Sequence, residues 1–555
     1  MSKTKPFVVA AIVVCAAGLL TTDSFAQSES DRKLRQTLNS AGLTGDIQQS
    51  LEKRLRRTID PQLVEIGKLV FFDKLQGLHG DNSCAGCHAP AAGFGDFKSI
   101  AVGVDSNDIV GAARKGVRNQ RRTPMVLNNA FYPKLMWNGR FFAPSGDPFD
   151  NSQGFAFTDP EGTNKFPAND PNVKLLLAAQ GHIPGTELPE MAGFTGITGS
   201  FFATQRFFAG STTSKFTPLA VGIPLPRYEV FSAGGLKLLG TTSSKEDPDF
   251  SQFDDGHGVA IPPAAADGSR NEPIRDVIMQ RFNTSAEYKR LFGKAFPEVA
   301  TGGPITFAMI GQALSEFQVS LTFADAPVDR FARGDWRAMS AAEKRGATLF
   351  FGKANCVSCH GVGGRSNQMF SDFEMYNIGV PQIAPKFGKG TGNVPFRNAA
   401  GDFVVSGRYD FGLADIRDKD KQPQEFESAK FKFRTSPLRN IHLQPTFFHN
   451  GSFTRLEDAV RHHLDPHTSA KSYDPQKAGV EPDLHQVADP GPILAVLDPK
   501  VSKRLVLTDA EIKDLVRFFR VGLADPKATP AKLAAMIPKS VPSGLPLQKF
   551  QPPRP

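Results

Sequence analysis

The chain has 555 residues, enough for about three or four domains of ordinary size. Hydrophobic residues make up 40% and charged residues 22%, which provides a sizeable core and excludes a wholly disordered protein. Glycine (51) and proline (42) account for 93 residues, which predicts long loops between helices. The net charge of +9 comes from bases scattered along the chain, so it does not indicate a nucleic-acid-binding protein.

Residues 1–26 have the three parts of a secretory signal peptide. Lys3 and Lys5 form a basic start, an apolar stretch covers Phe7 to Leu20, and Ser24-Phe25-Ala26 has the small-x-small pattern of a cleavage site. The apolar stretch is short, and no later one is long and apolar enough to cross a bilayer. The sequence therefore predicts an exported, periplasmic protein without a permanent membrane span. Its mature chain would carry a net charge of +8.

The cysteines form a repeated motif. Cys15 lies in the predicted signal peptide, and the other four occur in two C-x-x-C-H arrangements, Cys84-Ala-Gly-Cys87-His88 and Cys356-Val-Ser-Cys359-His360. This arrangement is the attachment signature of c-type haem. The two thiols add to the porphyrin vinyl groups, and the histidine supplies the proximal iron ligand. The sequence predicts two covalently bound haem c groups, with His88 and His360 as iron ligands.

Three other uses of four thiols are a structural zinc site, a pair of disulfides and a redox dithiol. None of them explains why a histidine follows both cysteine pairs. A thioredoxin-like motif would also need a βαβ context, which the sequence does not show.

An internal repeat precedes the two motifs. Ile66–Phe72 leads to the first and Arg345–Phe351 to the second, and each segment is predicted to be a helix. Ser340 and Glu343 form a capping box at the start of the second helix. Four further helices are predicted, at Ile274–Phe292, Ile305–Thr322, Leu456–Leu464 and Ala510–Leu523, the last two starting at the capping boxes Thr454/Glu457 and Thr508/Glu511.

The chain resembles the bacterial dihaem cytochrome c peroxidases and the related MauG-type enzymes. The resemblance is carried by the segments Ile66–Gly95, Arg122–Arg140, Leu176–Gly193, Asp329–His360 and Phe433–His463. It implies a mainly α fold with two cytochrome c-like haem domains, here with long loop insertions. It also implies that one haem reacts with peroxide while the other relays electrons.

The signal-peptide pattern and the family resemblance together divide the chain into four parts. The signal peptide covers 1–26, the peroxidatic haem domain 27–325, the electron-transfer haem domain 326–525 and a proline-rich tail 526–555. The first domain contains a loop-like insertion at about 192–270, with one predicted strand near Leu219–Phe231. The tail is expected to wrap the surface or to be disordered.

The resemblance assigns the peroxide reaction to the haem on His88. Many family members block this iron with a histidine after the proximal one, but Ala89–Val104 contains none, and the next histidine is His182. The first iron is therefore expected to be open. The family's distal glutamate and preceding glutamine match Glu190, as general acid–base, and Gln180, as a polar positioning residue. Glu161 is the alternative position for the acid–base, and Trp137 matches the family tryptophan between the haems.

The second haem needs a sixth ligand. In the family it follows a Phe-His-Asp-Gly motif and is methionine in typical peroxidases or tyrosine in the MauG type. The motif here is Phe448-His449-Asn450-Gly451, and the corresponding position, fourteen residues after His449, is His463. Leu456, Val460 and His463 also share one helical face. Ligation by two histidines favours a lower reduction potential than histidine with methionine.

The resemblance also implies a calcium ion between the domains, which this sequence does not favour. The family's asparagine ligand falls at Arg122, and its carbonyl segment is replaced by Gln444-Pro445-Thr446. The arginine can supply positive charge in place of the ion.

Three functions are compatible with these features. The first is a periplasmic peroxidase that reduces hydrogen peroxide with electrons from a small cytochrome or cupredoxin. The second is a MauG-like enzyme that oxidises residues of a partner protein, and the third is a non-enzymatic dihaem electron carrier with both irons closed. A homodimer is compatible with each, and the sequence does not decide the oligomeric state.

Overall fold

The computed structural model describes residue 1 and residues 28–192, 271–385, 409–417 and 422–552, without 79, 105, 117 and 158–164. The predicted signal peptide beyond residue 1 lies outside the described residues. So do Glu161 and nearly all of the predicted insertion at 192–270, including its strand near Leu219–Phe231.

Helices dominate the described chain, as predicted. In chain order they are α1 (Glu29–Ser40), α2 (Leu51–Leu55), α3 (Pro61–Phe72), α4 (Cys84–Cys87), α5 (Leu176–Gln180), α6 (Asn271–Thr284), α7 (Ala286–Ala295), α8 (Pro297–Ala300), α9 (Phe307–Ser320), α10 (Pro327–Ala332), α11 (Ala341–Phe351), α12 (Pro423–Ala429), α13 (Leu456–Leu464), α14 (Pro466–Lys471), α15 (Gly491–Leu494), α16 (Asp509–Arg517) and α17 (Pro530–Ala534). Two five-residue π-helices lie at Leu188–Ala192 and Phe518–Gly522.

The described strands are two residues long and form small local sheets. They are β1 (Ile109–Val110), β2 (Lys134–Leu135), β3 (Phe141–Phe142), β4 (Ala156–Phe157), β5 (Met375–Tyr376), β6 (Ile383–Ala384), β7 (Phe433–Arg434), β8 (Gln486–Val487) and β9 (Lys549–Phe550). Strands β2, β3 and β4 form an antiparallel sheet, while β5 pairs with β7 and β6 with β8, also antiparallel. Strand β1 pairs with β9 in parallel, which joins the C-terminal tail to the first part of the chain.

Two of the predicted helix starts need correction. The helix predicted at Ile274–Phe292 is two helices, α6 and α7, because the Ser285 side chain accepts a hydrogen bond from the Tyr288 N–H and starts a new helix. The capping box predicted at Thr454 and Glu457 is absent. Helix α13 begins after Arg455 without a side-chain cap, since the Thr454 hydroxyl donates to the Ala478 carbonyl instead. The boxes at Ser340 and Thr508 are confirmed.

The repeated helices α3 and α11 each cross a second helix at very close range. Helix α3 packs on α9, and a Cβ added at Gly67 would overlap the Ala313 carbonyl oxygen. Helix α11 packs on α16, and a Cβ at Gly346 would overlap the Asp514 carbonyl oxygen. The two glycines occupy the same position of the repeat, so the repeat encodes the same close helix crossing twice.

The main apolar clusters form around these two helix pairs. The first contains Ile66 and Val70 of α3 with residues of α6, α7 and α9, and the second contains residues of α10, α11, α13 and α16. The chain ends cross over: α1 packs into the second cluster, and Ala528, Leu533 and Val541 of the tail pack into the first. Within the described residues, no helix combines the length and apolarity that a bilayer crossing requires.

Candidate active site

Each C-x-x-C-H motif lies in the wall of a large cavity. The first cavity is lined by Cys84, Cys87 and His88 and contains about 1790 Å³ of non-protein space open to solvent. The second is lined by Cys356, Cys359 and His360 and contains about 1810 Å³. Because the two cysteines and the histidine of each motif line one cavity, a haem attached to that motif would lie in that cavity.

The proximal histidines are held in the same way in both cavities. The ring Nδ1 of His88 lies 2.9 Å from the Phe94 carbonyl oxygen, and that of His360 lies 2.9 Å from the Phe370 carbonyl oxygen. Both phenylalanines adopt a left-handed backbone, which turns these carbonyls towards the imidazoles. Burial lowers the pKa of both histidines to about 4. Each ring is then neutral with Nδ1–H donated, which leaves Nε2 free to bind iron.

The second cavity has a histidine opposite its proximal one. His463 lines this cavity, and its ring centroid lies 6.2 Å from that of His360. Two imidazoles on opposite sides of one metal, each bonded at about 2.0–2.1 Å, place their centroids about 6 Å apart. The Nδ1 of His463 is 2.8 Å from the Ala459 carbonyl, so Nε2 is again the free nitrogen. The two histidines therefore fit the sandwich of a six-coordinate haem.

The neighbouring His462 does not fit this role. Its Nδ1 lies 3.0 Å from the Ser469 hydroxyl and its Nε2 lies 2.9 Å from the Ile378 carbonyl. Both ring nitrogens are thus engaged within the protein, in agreement with the helical register that separates it from His463.

In the first cavity, His88 is the only histidine among the described lining residues. His182 packs beside Phe166 and Phe307, and its Nδ1 lies 2.9 Å from the Ala178 carbonyl. Gln180, at the end of α5, and Glu190, in the π-helix, both line this cavity. The structure thus brings the predicted acid–base and positioning residues to the cavity of the first motif.

Glu190 has the environment of a tuned carboxyl group. Burial and the negative charge of Glu187 raise the pKa of Glu190 to about 7, and the positive charge of Arg140 partly opposes them. Arg140 is itself paired with Glu187 through a 2.7 Å contact, and both side chains are buried. A carboxyl group with a pKa near neutrality can both take and give a proton at physiological pH.

Glu187 was not identified from the sequence as a site residue. It lines the first cavity and lies three residues before Glu190, in the same Glu-x-x-Glu segment. That short spacing was the available signal, because two carboxyl groups one turn apart interact electrostatically.

Trp137 lies between the two cavities and lines both. Its indole N–H donates to the Arg122 carbonyl at 2.7 Å, and the Arg122 guanidinium lies 5.2 Å from the ring centroid. This is the position that the family resemblance predicts for it.

Two buried arginines beside Trp137 have no carboxylate partner within ion-pair distance among the described residues. Arg122 donates to the Phe448 carbonyl and the Gln444 side chain, and Arg434 donates to backbone carbonyls only. Burial lowers the pKa of both to about 10. Arg121, by contrast, is bound by two carboxylates.

An uncompensated buried cation is destabilising by several kcal/mol. Anionic groups bound beside these two arginines would therefore stabilise the folded protein. Arg122 and Arg434 line both cavities, and each haem carries two propionates. The residues present therefore fit a haem in each cavity, through cysteines, histidines and neighbouring cations. The contact between Arg122 and Gln444 also joins the two places where the sequence departs from the family's calcium segment.

Comparison with known proteins agrees with this arrangement. A family model described as di-haem cytochrome c peroxidase matches residues 61–195 and 252–337. Cytochrome-c peroxidase IdrP1 of Denitromonas iodatirespirans is 30% identical over 415 residues, covering 72% of this chain and 71% of the relative. The methylamine utilization protein MauG of Methylorubrum extorquens is 23% identical over 455 residues, covering 82% of this chain and 83% of the relative.

Among solved structures, the diheme peroxidase BthA from Burkholderia thailandensis aligns with a TM-score of 0.48 and 18% identity, covering 89% of this chain and 92% of that one. The match to IdrP1 exceeds two thirds of both chains at 30% identity, and the family model covers the first motif and its distal loop. Membership implies two c-type haems and a peroxidase-type oxidoreductase. This chain belongs to the dihaem cytochrome c peroxidase family.

Proposed function

We propose that the protein is a periplasmic peroxidase that reduces hydrogen peroxide in the first cavity, with electrons that enter through the second. The observation that carries the proposal is the difference between the cavities: Glu190 faces the first, whereas His463 faces His360 in the second. The curated relatives named cytochrome-c peroxidase support the peroxidase reading. The predicted signal peptide supports export to the periplasm.

A haem held by Cys84, Cys87 and His88 would supply redox-active iron for the reaction with peroxide. The reaction consumes two electrons and two protons and converts hydrogen peroxide into two water molecules. Glu190 takes the proton from one peroxide oxygen and returns it to the leaving oxygen. Gln180, on the same wall, orients the peroxide through its side-chain amide.

A small cytochrome or cupredoxin would deliver electrons to the second cavity from outside. From there the electrons pass to the first cavity. Trp137 lies between the cavities, and its buried indole is held by the Arg122 carbonyl. This position supports its role as the relay. The assignment of one haem to each cavity supports the division into haem domains at 27–325 and 326–525. Across this division, α1 packs into the second apolar cluster and the C-terminal tail packs into the first.

A MauG-like oxidation of a partner protein is the second candidate. It is favoured because His463, and not a methionine, lines the second cavity at the position that the family resemblance assigns to the sixth iron ligand. Similarity to MauG over 82% of the chain points the same way. The two candidates differ in whether a small redox donor or a protein substrate is turned over.

The EPR spectrum of the as-isolated ferric holoprotein, with and without peroxide, tests the proposal. One high-spin signal and one low-spin signal of a bis-histidine haem are expected. The high-spin signal should respond to peroxide before the low-spin signal does. Two low-spin signals would show that the first iron is closed, as in a reductively activated peroxidase or a dihaem electron carrier. A protein that still ignores peroxide after one-electron reduction would be the electron carrier. Steady-state reduction of peroxide with a small cytochrome or cupredoxin then separates the peroxidase from the MauG-like candidate.

A further inference from the structure

The C-terminal tail packs on the part of the protein that contains the first cavity. Strand β9 pairs in parallel with β1, with Lys549 opposite Ile109 and Phe550 opposite Val110. The ring of Phe550 lies 5.7 Å from that of Phe72 at the end of α3. These contacts bring the residue just before β9, Gln548, against the first C-x-x-C-H motif.

The side chain of Gln548 is 3% exposed and is hydrogen bonded at both ends. Its carbonyl oxygen accepts from the Ser83 hydroxyl at 2.7 Å, and its amide nitrogen donates to Asn82 Oδ1 at 2.9 Å. Ser83 and Asn82 directly precede Cys84, so residues at opposite ends of the chain meet at the haem-attachment motif.

The hydrogen bonds of Asn82 fix its amide in one orientation. Arg114 Nη2 lies 2.9 Å from Asn82 Oδ1, and because a guanidinium only donates, the facing atom must be the oxygen. Asn82 Nδ2 then points the other way and donates to the Glu190 backbone carbonyl at 2.7 Å. A continuous chain of side-chain amides thus connects Gln548 with the backbone of Glu190.

Packing around the motif confirms how closely these groups fit. A Cβ added at Gly86 would overlap Asn82 Oδ1 and lie 2.7 Å from Gln548 Nε2. The glycine inside the first C-x-x-C-H motif therefore leaves room for the Gln548–Asn82 contact. The second motif has Val357 and Ser358 at the two middle positions instead of Ala85 and Gly86.

We propose that Gln548 is a positioning residue for the first cavity, through which the C-terminal tail sets the place of Glu190. The inference rests on the proposed function, in which Glu190 is the acid–base. Gln548 and Arg114 both donate to Asn82 Oδ1, and Asn82 in turn holds the carbonyl of Glu190 at the cavity wall. A second hydrogen bond, from the Leu78 N–H to the Met191 carbonyl at 3.0 Å, keeps the π-helix attached when Gln548 is changed.

The test compares holoproteins with Gln548→Met, which keeps the shape but removes both hydrogen bonds, and Gln551→Met as a matched control. Gln551 is in the same tail, and its side chain accepts from the Ala113 N–H without touching Asn82. In Gln548→Met we expect faster hydrogen exchange of the amides of 190–192. We also expect roughly tenfold slower reaction with peroxide, within the ~10²-fold that a 1 Å misplacement costs.

Because Gln548 is uncharged, the pH midpoint of the peroxide reaction should stay in place while its rate falls. Gln548→Ala removes both hydrogen bonds without adding volume or charge, and it is the second variant if Gln548→Met does not fold. The proposal would be overturned if Gln548→Met matched Gln551→Met in hydrogen exchange and in its rate with peroxide. It would also be overturned if Gln548→Met exchanged faster but reacted at the unmodified rate while Glu190→Gln reacted slowly. Faster exchange together with an unaffected Glu190→Gln enzyme would support the tether and overturn the role of Glu190.

Discussion

On the proximal side, the first and second cavities are close copies. In each, a C-x-x-C-H motif follows a helix with a glycine at a tight crossing, and a phenylalanine carbonyl holds the histidine Nδ1. Elsewhere the walls differ: helix α13 places His463 across from His360 in the second cavity, whereas a π-helix places Glu190 in the wall of the first. Under the proposed function, one framework serves two chemistries, because the ligand of one haem and the acid–base beside the other come from separate segments of the chain.

Removing His463 breaks the comparison most strongly. In His463→Ala the second iron loses its sixth ligand, and we expect the low-spin EPR signal to disappear and a second high-spin signal to replace it. His462→Gln is the matched control, because both nitrogens of His462 bind protein groups. A low-spin signal that survives His463→Ala but not His462→Gln would reverse the assignment.

Glu190→Gln should slow the reaction with peroxide by about 10²–10⁴-fold, since the amide neither takes nor gives the proton. Both haem spectra should remain as in the unmodified protein. The measurement is stopped-flow mixing with hydrogen peroxide at the Soret band. Glu161→Gln serves as the control, and a slow Glu161 variant beside a normal Glu190 variant would move the acid–base to Glu161.

The acidity of Glu190 can be shifted in both directions through its neighbours. At pH below about 7 Glu190 is mostly protonated, and because it must accept a proton first, the rate should rise with pH through about 7. Glu187→Gln removes a like charge and leaves Arg140 unpaired, so the pKa of Glu190 and the midpoint should fall.

Arg140→Gln removes the cation that opposes Glu187 and should move the midpoint to higher pH. The two variants thus predict opposite displacements of one pH–rate profile, measured from pH 5 to 9. Displacement in the same direction by both would show that another group controls the titration.

The features that could be predicted from sequence depend on a few neighbouring residues. The C-x-x-C-H motifs, the helices α9, α13 and α16, and the capping box at Ser340 are all of this kind. The helix break at Ser285 was missed because the apolar pattern continues across it. The Ser285 side chain accepts a hydrogen bond from the N–H three residues later, as the N-cap of a new helix does.

The remaining features depend on contacts between distant parts of the chain. Nothing near Thr454 indicates that its hydroxyl is taken by Ala478, 24 residues later. Arg434 lies on β7 and meets Trp137 and both cavities only in the folded chain. Gln548 is 466 residues from Asn82, and no periodicity or motif predicts that pair.

The smallest expected effect concerns the starts of the repeated helices. Asp60 accepts from the N–H groups of Gln62 and Leu63 at the start of α3, and Ser340 accepts from Glu343 at the start of α11. Asp60→Ala and Ser340→Ala should each lower the free energy of unfolding by about 1 kcal/mol, while replacement by Asn should cost only a few tenths. Denaturant unfolding followed by circular dichroism and by haem absorbance measures both.

If the two halves unfold separately, Asp60→Ala should move only the transition of the first cavity and Ser340→Ala only that of the second. If the Asn variants lose as much stability as the Ala variants, the capping oxygens are not what stabilises these helices. A common shift of both transitions would instead show that the crossed-over ends, α1 on the second cluster and the tail on the first, make the halves unfold as one unit.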